Sequence, residues 1–258
     1  GGQFGPTDTS MNVSLTVNMP PSIVTQPLDQ TACEGDAVSF SVSATGSGLT
    51  YQWRKGLVNL INAGNISGAT SATLTFNPVN ALDAALNYNV VISGLCPLSE
   101  TSLDAELVVN IATTITSQPV AQTVCVGDSV SFVVMATGTG ITYQWRKGMV
   151  NLINAGNISG VNTATLTINP VGALDAANDY NVLVTGSGCA DDTSINVALI
   201  VNEPVVITSQ PSNQIVCEGN SASFSVITSG TGVTYQWRKG IVNLVNAGNI
   251  SGVNTATL

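Results

Sequence analysis

The stretch YQWRKGLVNLINAGNISG, Tyr51–Gly68, returns as YQWRKGMVNLINAGNISG at Tyr143–Gly160 and as YQWRKGIVNLVNAGNISG at Tyr235–Gly252. The copies start 92 residues apart each time (143 − 51 and 235 − 143). A period that long is a whole domain rather than a solenoid unit or propeller blade. The chain of 258 residues therefore reads as an array of near-identical domains. Residues 1–18 end in SLTVN, which matches ELVVN at Glu106–Asn110 and ALIVN at Ala198–Asn202. The expected division is a terminal strand of a preceding repeat over 1–18, repeats over 19–110 and 111–202, and a truncated repeat over 203–258.

Around the quoted stretch the hydrophobic period is two. Val38-Ser39-Phe40-Ser41-Val42-Ser43-Ala44 alternates apolar with polar, as do Ala72-Thr73-Leu74-Thr75-Phe76 and Tyr88-Asn89-Val90-Val91-Ile92 with Tyr88, Val90 and Ile92 in phase. Such alternation marks half-buried strands. In Thr50–Arg54, Tyr51 and Trp53 share one face while Gln52 and Arg54 share the other. Asn62–Gly68 (NAGNISG) carries turn residues, and Val79–Ala85 has room for one helical turn. Short strands with turns every 8 to 12 residues describe an all-β sandwich.

Composition narrows the class of function. Charged residues make up 8% of the chain, net charge is −9, and there is no histidine. The six basic residues are Arg54, Lys55, Arg146, Lys147, Arg238 and Lys239, one pair per repeat. A phosphate backbone needs clustered cations, so nucleic acid is an unsuitable partner. Anionic membrane surfaces are disfavoured for the same reason. No run of 18 apolar residues suggests membrane insertion. Without histidine there is no Ser-His-Asp or Cys-His arrangement, and the expectation is that the chain is not an enzyme. Asp191-Asp192 has no adjacent counterpart in the other repeats and reads as a solvated loop. Glu34 and Asp36 lie two apart, but Val126 replaces the glutamate in the second repeat, so they read as turn chemistry. No cofactor or metal is expected.

The five cysteines fall in register: Cys33, Cys125 and Cys217 at intervals of 92, and Cys96 and Cys189 at 93. The simple expectation is one bridge inside each domain, Cys33–Cys96 and Cys125–Cys189, with the partner of Cys217 beyond Leu258. A bridge Cys96–Cys125 between neighbouring domains is the rival, because spacing does not dictate connectivity. Either pairing implies an oxidising compartment.

The order Glu34-Gly35-Asp36, Trp53, Leu74-Thr75-Phe76, Asp83 and Tyr88 resembles an immunoglobulin-like domain. The second repeat matches with Gly127-Asp128, Trp145, Leu166-Thr167-Ile168, Asp175 and Tyr180. The resemblance implies tandem immunoglobulin-like sandwiches. Trp53, Trp145 and Trp237 would be buried, and Tyr88 and Tyr180 would be corner tyrosines bonded to backbone. The usual inter-sheet cysteine places are held by Val42 and Val90, and by Val134 and Val182. The cysteine placement, the Gln-Pro starts and the Gly-Asn-Ile-Ser-Gly loop resemble repeats of very large surface or secreted proteins of Bacteroidota. That likeness implies export to the cell surface or beyond. The short joints NMPPS, NIATT and NEPVV are not Gly/Ser-rich, and prolines stiffen two of them, so an elongated rod is expected.

Between Tyr51 and Gly68 the first two copies differ at one position of 18, whereas from Ile23 to Thr50 they match at 17 of 28. Recent duplication would explain this, and so would a repeated contact face. The candidate face is Arg54, Asn65, Arg146, Asn157, Arg238 and Asn249. Asn65, Asn157 and Asn249 also fit the Asn-x-Ser acceptor pattern. The expected function is the stalk of a large surface adhesin or the body of an extracellular filament. Expected partners are further copies of the chain in fibres, or a surface glycan or protein. The alternative is a carbohydrate- or protein-binding module accompanying a secreted polysaccharide-degrading enzyme, with Tyr51 as a stacking platform.

Overall fold

The computed structural model describes Gly2 and Ser10–Leu258. The chain divides into two compact units, Gly1–Ala112 and Thr113–Leu258. The first unit contains β1 (Ser22–Thr25), β2 (Gln30–Cys33), β3 (Val38–Ser41), β4 (Ser43–Thr45), β5 (Thr50–Lys55), β6 (Val58–Asn59), β7 (Ile66–Ser67), β8 (Thr73–Phe76), β9 (Ala85–Ser93), β10 (Ser99–Thr101) and β11 (Ala105–Asn110). A single 3₁₀ turn, Ala81–Asp83, precedes β9. One sheet is ordered β2-β11-β9-β5-β6, with β10 added beside β9. The other side is made of β3-β8-β7 and the β1-β4 pair.

The alternation seen in sequence places the core between these sheets. Phe40, Trp53, Leu74, Phe76, Tyr88, Val90, Ile92 and Leu107 are all at most 1% exposed. The serines between Val38, Phe40 and Val42 face solvent, as strand geometry requires. The packing is aromatic at its centre: Phe40 lies 6.2 Å from Trp53 and 5.2 Å from Tyr88, centroid to centroid. Phe76 meets Tyr88 edge-on at 5.3 Å. Val42 and Val90 lie in this cluster, so aliphatic packing joins the sheets where an inter-sheet cysteine pair would stand.

Strand order decides which segments meet at each end of the sandwich. β11 runs antiparallel to β9, with Ala105 opposite Tyr88 and Leu107 opposite Ala85. β2 runs parallel to β11, from Gln30 beside Leu107 to Cys33 beside Asn110. The start of β9, the end of β11 and the end of β2 therefore share one pole of the sandwich. The turn after β5 joins them there, since Gly56 N–H donates to Asn87 O at 2.8 Å. The end of β9 and the loop holding Cys96 form the opposite pole.

The second unit repeats the plan with β12 (Thr114–Ser117), β13 (Gln122–Cys125), β14 (Val130–Val133), β15 (Met135–Thr137), β16 (Thr142–Lys147), β17 (Val150–Asn151), β18 (Ile158–Ser159), β19 (Thr165–Ile168), β20 (Ala177–Thr185), β21 (Asp192–Thr193) and β22 (Val197–Asn202). Its sheets have the same order, and its core holds Phe132, Trp145, Leu166, Ile168, Tyr180 and Leu199 at 1% exposure or less. The same unit also contains β23 (Val206–Ser209), β24 (Ile227–Ser229), β25 (Arg238–Lys239) and β26 (Val242–Asn243).

The terminal strand expected over 1–18 falls partly outside the described residues, and Ser10–Asn18 carries no assigned strand. One expectation is corrected. Trp237 is half-buried, not core. It keeps the bond of its counterparts, Nε1–H to Thr255 O at 2.9 Å, but no described strand pairs beside it as β20 pairs beside Trp145.

Candidate functional site

The nearly invariant segment splits into a portion the fold requires and a portion it does not. Asn62 Oδ1 accepts the Ala69 N–H at 2.8 Å. Asn65 Nδ2 donates to Pro78 O at 2.9 Å and to Asp83 Oδ2 at 2.7 Å. Asn157 repeats this with Pro170 O and Asp175 at 2.9 and 2.7 Å. Gly68 sits at φ +76, and a Cβ there would collide with the Thr73 carbonyl oxygen. Gly160 and Gly252 stand likewise against Thr165 and Thr257. The NAGNISG loop is thus held by its own asparagines and by a backbone approach that only glycine allows. Internal structure is therefore a further source of its near-identity, beside the duplication and the contact face expected from sequence.

The cations of the candidate face are also engaged within each repeat. Arg54 Nε donates to Asn89 Oδ1 at 3.1 Å, and Arg146 to Asn181 Oδ1 at 3.0 Å. Asp83, the nearby acid, is bonded to Asn65 and to the Asn80 N–H. Lys55 Nζ donates to Leu82 O at 3.2 Å and lies 5.8 Å from the Tyr88 ring centroid. Lys147 does the same with Leu174 O and Tyr180. Arg238 and Asn249 are exposed. Asn89 completes a buried cluster, donating to Gly56 O and to Asp104 Oδ1.

What the segment presents to solvent is apolar. At the β5–β6 hairpin Leu57, Val58 and Ile61 are 89, 69 and 71% exposed. Met149, Val150 and Ile153 are 88, 70 and 70% exposed, and Ile241, Val242 and Val245 are 93, 63 and 68%. Leucine, methionine and isoleucine alternate at the hairpin tip, yet each is large and apolar. Leu82 and Leu174 on the 3₁₀ turns add exposure at the same pole, through the Lys55 and Lys147 bonds to their carbonyls. Nothing in the spacing of the segment announced this patch, because in sequence Leu57 and Ile61 look like core residues. Tyr51 and Tyr143, by contrast, are half-buried and pack against the core, so neither is an open stacking platform.

The corner tyrosines are well determined. Tyr88 Oη donates to Asp83 O at 2.6 Å, and Tyr180 Oη to Asp175 O at 2.8 Å. Burial, reinforced by the Asp83 charge, pushes the Tyr88 hydroxyl up to about 12. Burial also raises Tyr180 to about 12, with Asp175 and Asp179 adding to it. Trp53 and Trp145 are fully buried and donate through Nε1–H to Ser71 O and Thr163 O, both at 2.9 Å.

The cysteines depart from the intradomain expectation. Cys33 and Cys189 are disulfide-bonded, while Cys96, Cys125 and Cys217 are free thiols. Neither Cys33–Cys96 nor Cys125–Cys189 forms, and nor does Cys96–Cys125. The reason is the strand register. Cys33 lies beside Asn110 at one pole, and Cys96 follows Ser93 at the other. The nine-residue β9 between them spans about 30 Å, whereas a bridge needs Cα atoms within about 7 Å.

Acidic residues serve the strand edges. Glu100 Oε2 accepts the Ile23 N–H at 2.7 Å, and Asp192 Oδ2 accepts the Ile115 N–H at 2.8 Å. Gln26 and Gln118 accept the N–H groups of Leu103 and Ile195. These clips fasten the entering strand to the β10–β11 and β21–β22 regions, and the sequence reading missed them. Glu34 Oε1 accepts the Ala81 N–H at 3.2 Å, and Asp36 Oδ2 the Cys33 N–H at 3.3 Å.

A family described as "Domain of unknown function (DUF8696)" matches residues 112–203. No curated protein sequence matches the chain. Among solved structures, the I-band fragment I67-I69 from titin is similar with a TM-score of 0.75 at 19% identity, covering 92% of this chain and 87% of the fragment. Sidekick-1 immunoglobulin domains 1-5 give a TM-score of 0.61 at 18% identity, over 89% of this chain and 49% of that one. At such identity the likeness bears on fold alone. With the two-sheet order, the buried tryptophans and the corner tyrosines, it makes the chain an all-β array of tandem immunoglobulin-like sandwich domains.

Proposed function

We propose that this chain is a non-catalytic extracellular structural region, with repeats bounded near 110 and 202, that associates sideways with copies of itself as the body of a filament. The observation that supports this reading is the exposed apolar hairpin, present three times at a fixed 92-residue interval. Burying one large aliphatic side chain contributes about 1.5–3 kcal/mol, which is weak for one repeat. Along an array the contacts add, since the first fixes the next at high effective concentration. With 8% charged residues the surface offers little like-charge repulsion against such packing. A stalk of a large surface adhesin is the same architecture without the lateral contact.

Electron microscopy and sedimentation of the native protein test this. Wild-type material should form laterally associated fibres. Replacing Leu57, Ile61, Met149, Ile153, Ile241 and Val245 by serine should disperse them without lowering the thermal midpoint. Wild-type protein that stays as single chains at high concentration would refute lateral assembly and leave the stalk.

A further inference from the structure

In the sheet β2-β11-β9-β5-β6, the face turned away from the core carries a row of polar side chains built around one arginine. The register sets Asn59 of β6 beside Arg54 of β5, and Arg54 beside Asn89 of β9. The second repeat sets Asn151, Arg146 and Asn181 in the same row. The third repeats the pairing of Arg238 with Asn243.

Arg54 is half-buried and fixed in place. Its Nε–H donates to Asn89 Oδ1 at 3.1 Å. Asn89 is 6% exposed and is itself anchored, its amide donating to Gly56 O at 3.2 Å and to Asp104 Oδ1 at 2.8 Å. Asn181, 4% exposed, holds Arg146 at 3.0 Å and is anchored on Gly148 O and Asn196 Oδ1, both at 3.0 Å. The Nη nitrogens of both arginines have no hydrogen bond or ion pair among the described residues. The acid of the first cluster is not kept for the arginine, since Asp104 becomes Asn196 in the second repeat. Asp179 lies against Gly148 where the first repeat has Asn87, and it makes no ion pair with Arg146. A guanidinium oriented in advance, with its outer N–H donors left over, matches a carboxylate bidentately at low ordering cost.

The carboxylates of the chain are largely committed elsewhere. In the first repeat Asp29, Glu34, Asp36, Asp83, Glu100 and Asp104 each accept a backbone or amide N–H of that repeat. They serve turns and strand edges, so a second copy is a poor source of the missing anion. A densely phosphorylated or sulfated chain suits the site no better: one such arginine per 92 residues cannot neutralise it, and the net charge of −9 repels it. What fits is a sparsely charged ligand, with one carboxylate for the guanidinium and a hydroxyl for the exposed amide of Asn59.

We propose that Arg54, with its counterparts Arg146 and Arg238, binds a uronic-acid-type sugar within an otherwise neutral glycan. The outer edge of the guanidinium takes the carboxylate, and Asn59, Asn151 or Asn243 takes a neighbouring hydroxyl. The site makes no use of the apolar hairpin, so it holds whether the array is a filament or a stalk.

The test is titration of the intact chain with a hyaluronan hexasaccharide and with trigalacturonate, followed by NMR of the arginine Nε–H and side-chain amide signals. Both sugars should shift the signals of Arg54, Asn59, Arg146 and Asn151 at millimolar concentration, and their carboxyl methyl esters should not. Arg54→Lys together with Arg146→Lys keeps the charge but removes the planar donor pair. That variant should bind about tenfold more weakly while the indole N–H signals of Trp53 and Trp145 keep their native shifts. Asn59→Ala leaves the Arg54–Asn89 bond alone, and should weaken the first-repeat site while sparing the second. Equal shifts with the methyl esters, or none with either acid, would overturn the proposal. Glycan-free fibres that disperse in the lysine variant would overturn it as well, because the arginine would then serve a second copy.

Discussion

Replacing Tyr88 by phenylalanine removes one oxygen and keeps the ring packed between Phe40 and Phe76. The oxygen lost is the donor to Asp83 O at 2.6 Å. A net hydrogen bond contributes about 1 kcal/mol, and leaving a shielded acceptor unpaired costs about 1–3 kcal/mol, so the expected loss is about 2 kcal/mol at neutral pH. Alkali should erase much of the difference. The hydroxyl titrates near 12 in the fold against about 10 in the unfolded chain. A raised pKa contributes stability that is complete below pH 10 and disappears as pH climbs through 12. At pH 11 wild type has lost about 1.4 kcal/mol of it, and the variant has nothing there to lose. The gap should narrow from about 2 to about 0.6 kcal/mol. Urea unfolding followed by Trp53 fluorescence, with Trp145 and Trp237 changed to phenylalanine, isolates the first repeat. A gap that is the same at pH 7 and pH 11, or absent at pH 7, would refute the corner as described.

Trp53→Ala should cost the first repeat about 3–5 kcal/mol, with the Trp145 transition unmoved; calorimetry of the intact chain would resolve the two. Gly68→Ala should destabilise by more than Gly35→Ala, because only the first meets a backbone carbonyl, although both glycines have positive φ. Chemical denaturation of the two variants side by side makes that comparison, and equal losses would mean the backbone approach at Gly68 is unimportant.

The core was readable because period-two alternation records burial directly. Val38–Ala44 and Tyr88–Ile92 gave their inward faces residue by residue, and the Val79–Ala85 turn was legible from its length. The cysteine partners were not. A spacing of 63 residues, Cys33 to Cys96, is the same number whether the two ends meet or stand at opposite poles, and only strand register distinguishes them. The clips formed by Glu100 and Asp192 were hidden for another reason. A glutamate and an aspartate that bond the corresponding backbone N–H of each repeat, Ile23 and Ile115, look unrelated when the repeats are compared letter by letter. The hairpin patch was misleading in the opposite sense, since Leu57 and Ile61 resemble core residues until the strands on either side are placed.

The parallel pairing of β2 with β11 has a mechanical consequence. Tension along the chain pulls the entering end of a repeat one way and its leaving end the other. β2 belongs to the first and β11 to the second, and their register runs over four residue pairs, Gln30–Cys33 against Leu107–Asn110. Opposed pulling makes the strands slide past each other, so the bonds between them strain together in shear. An antiparallel hairpin pulled at its open end would instead unzip, its bonds breaking in succession. Each repeat thus meets tension through the pairing that shares force most evenly among its hydrogen bonds.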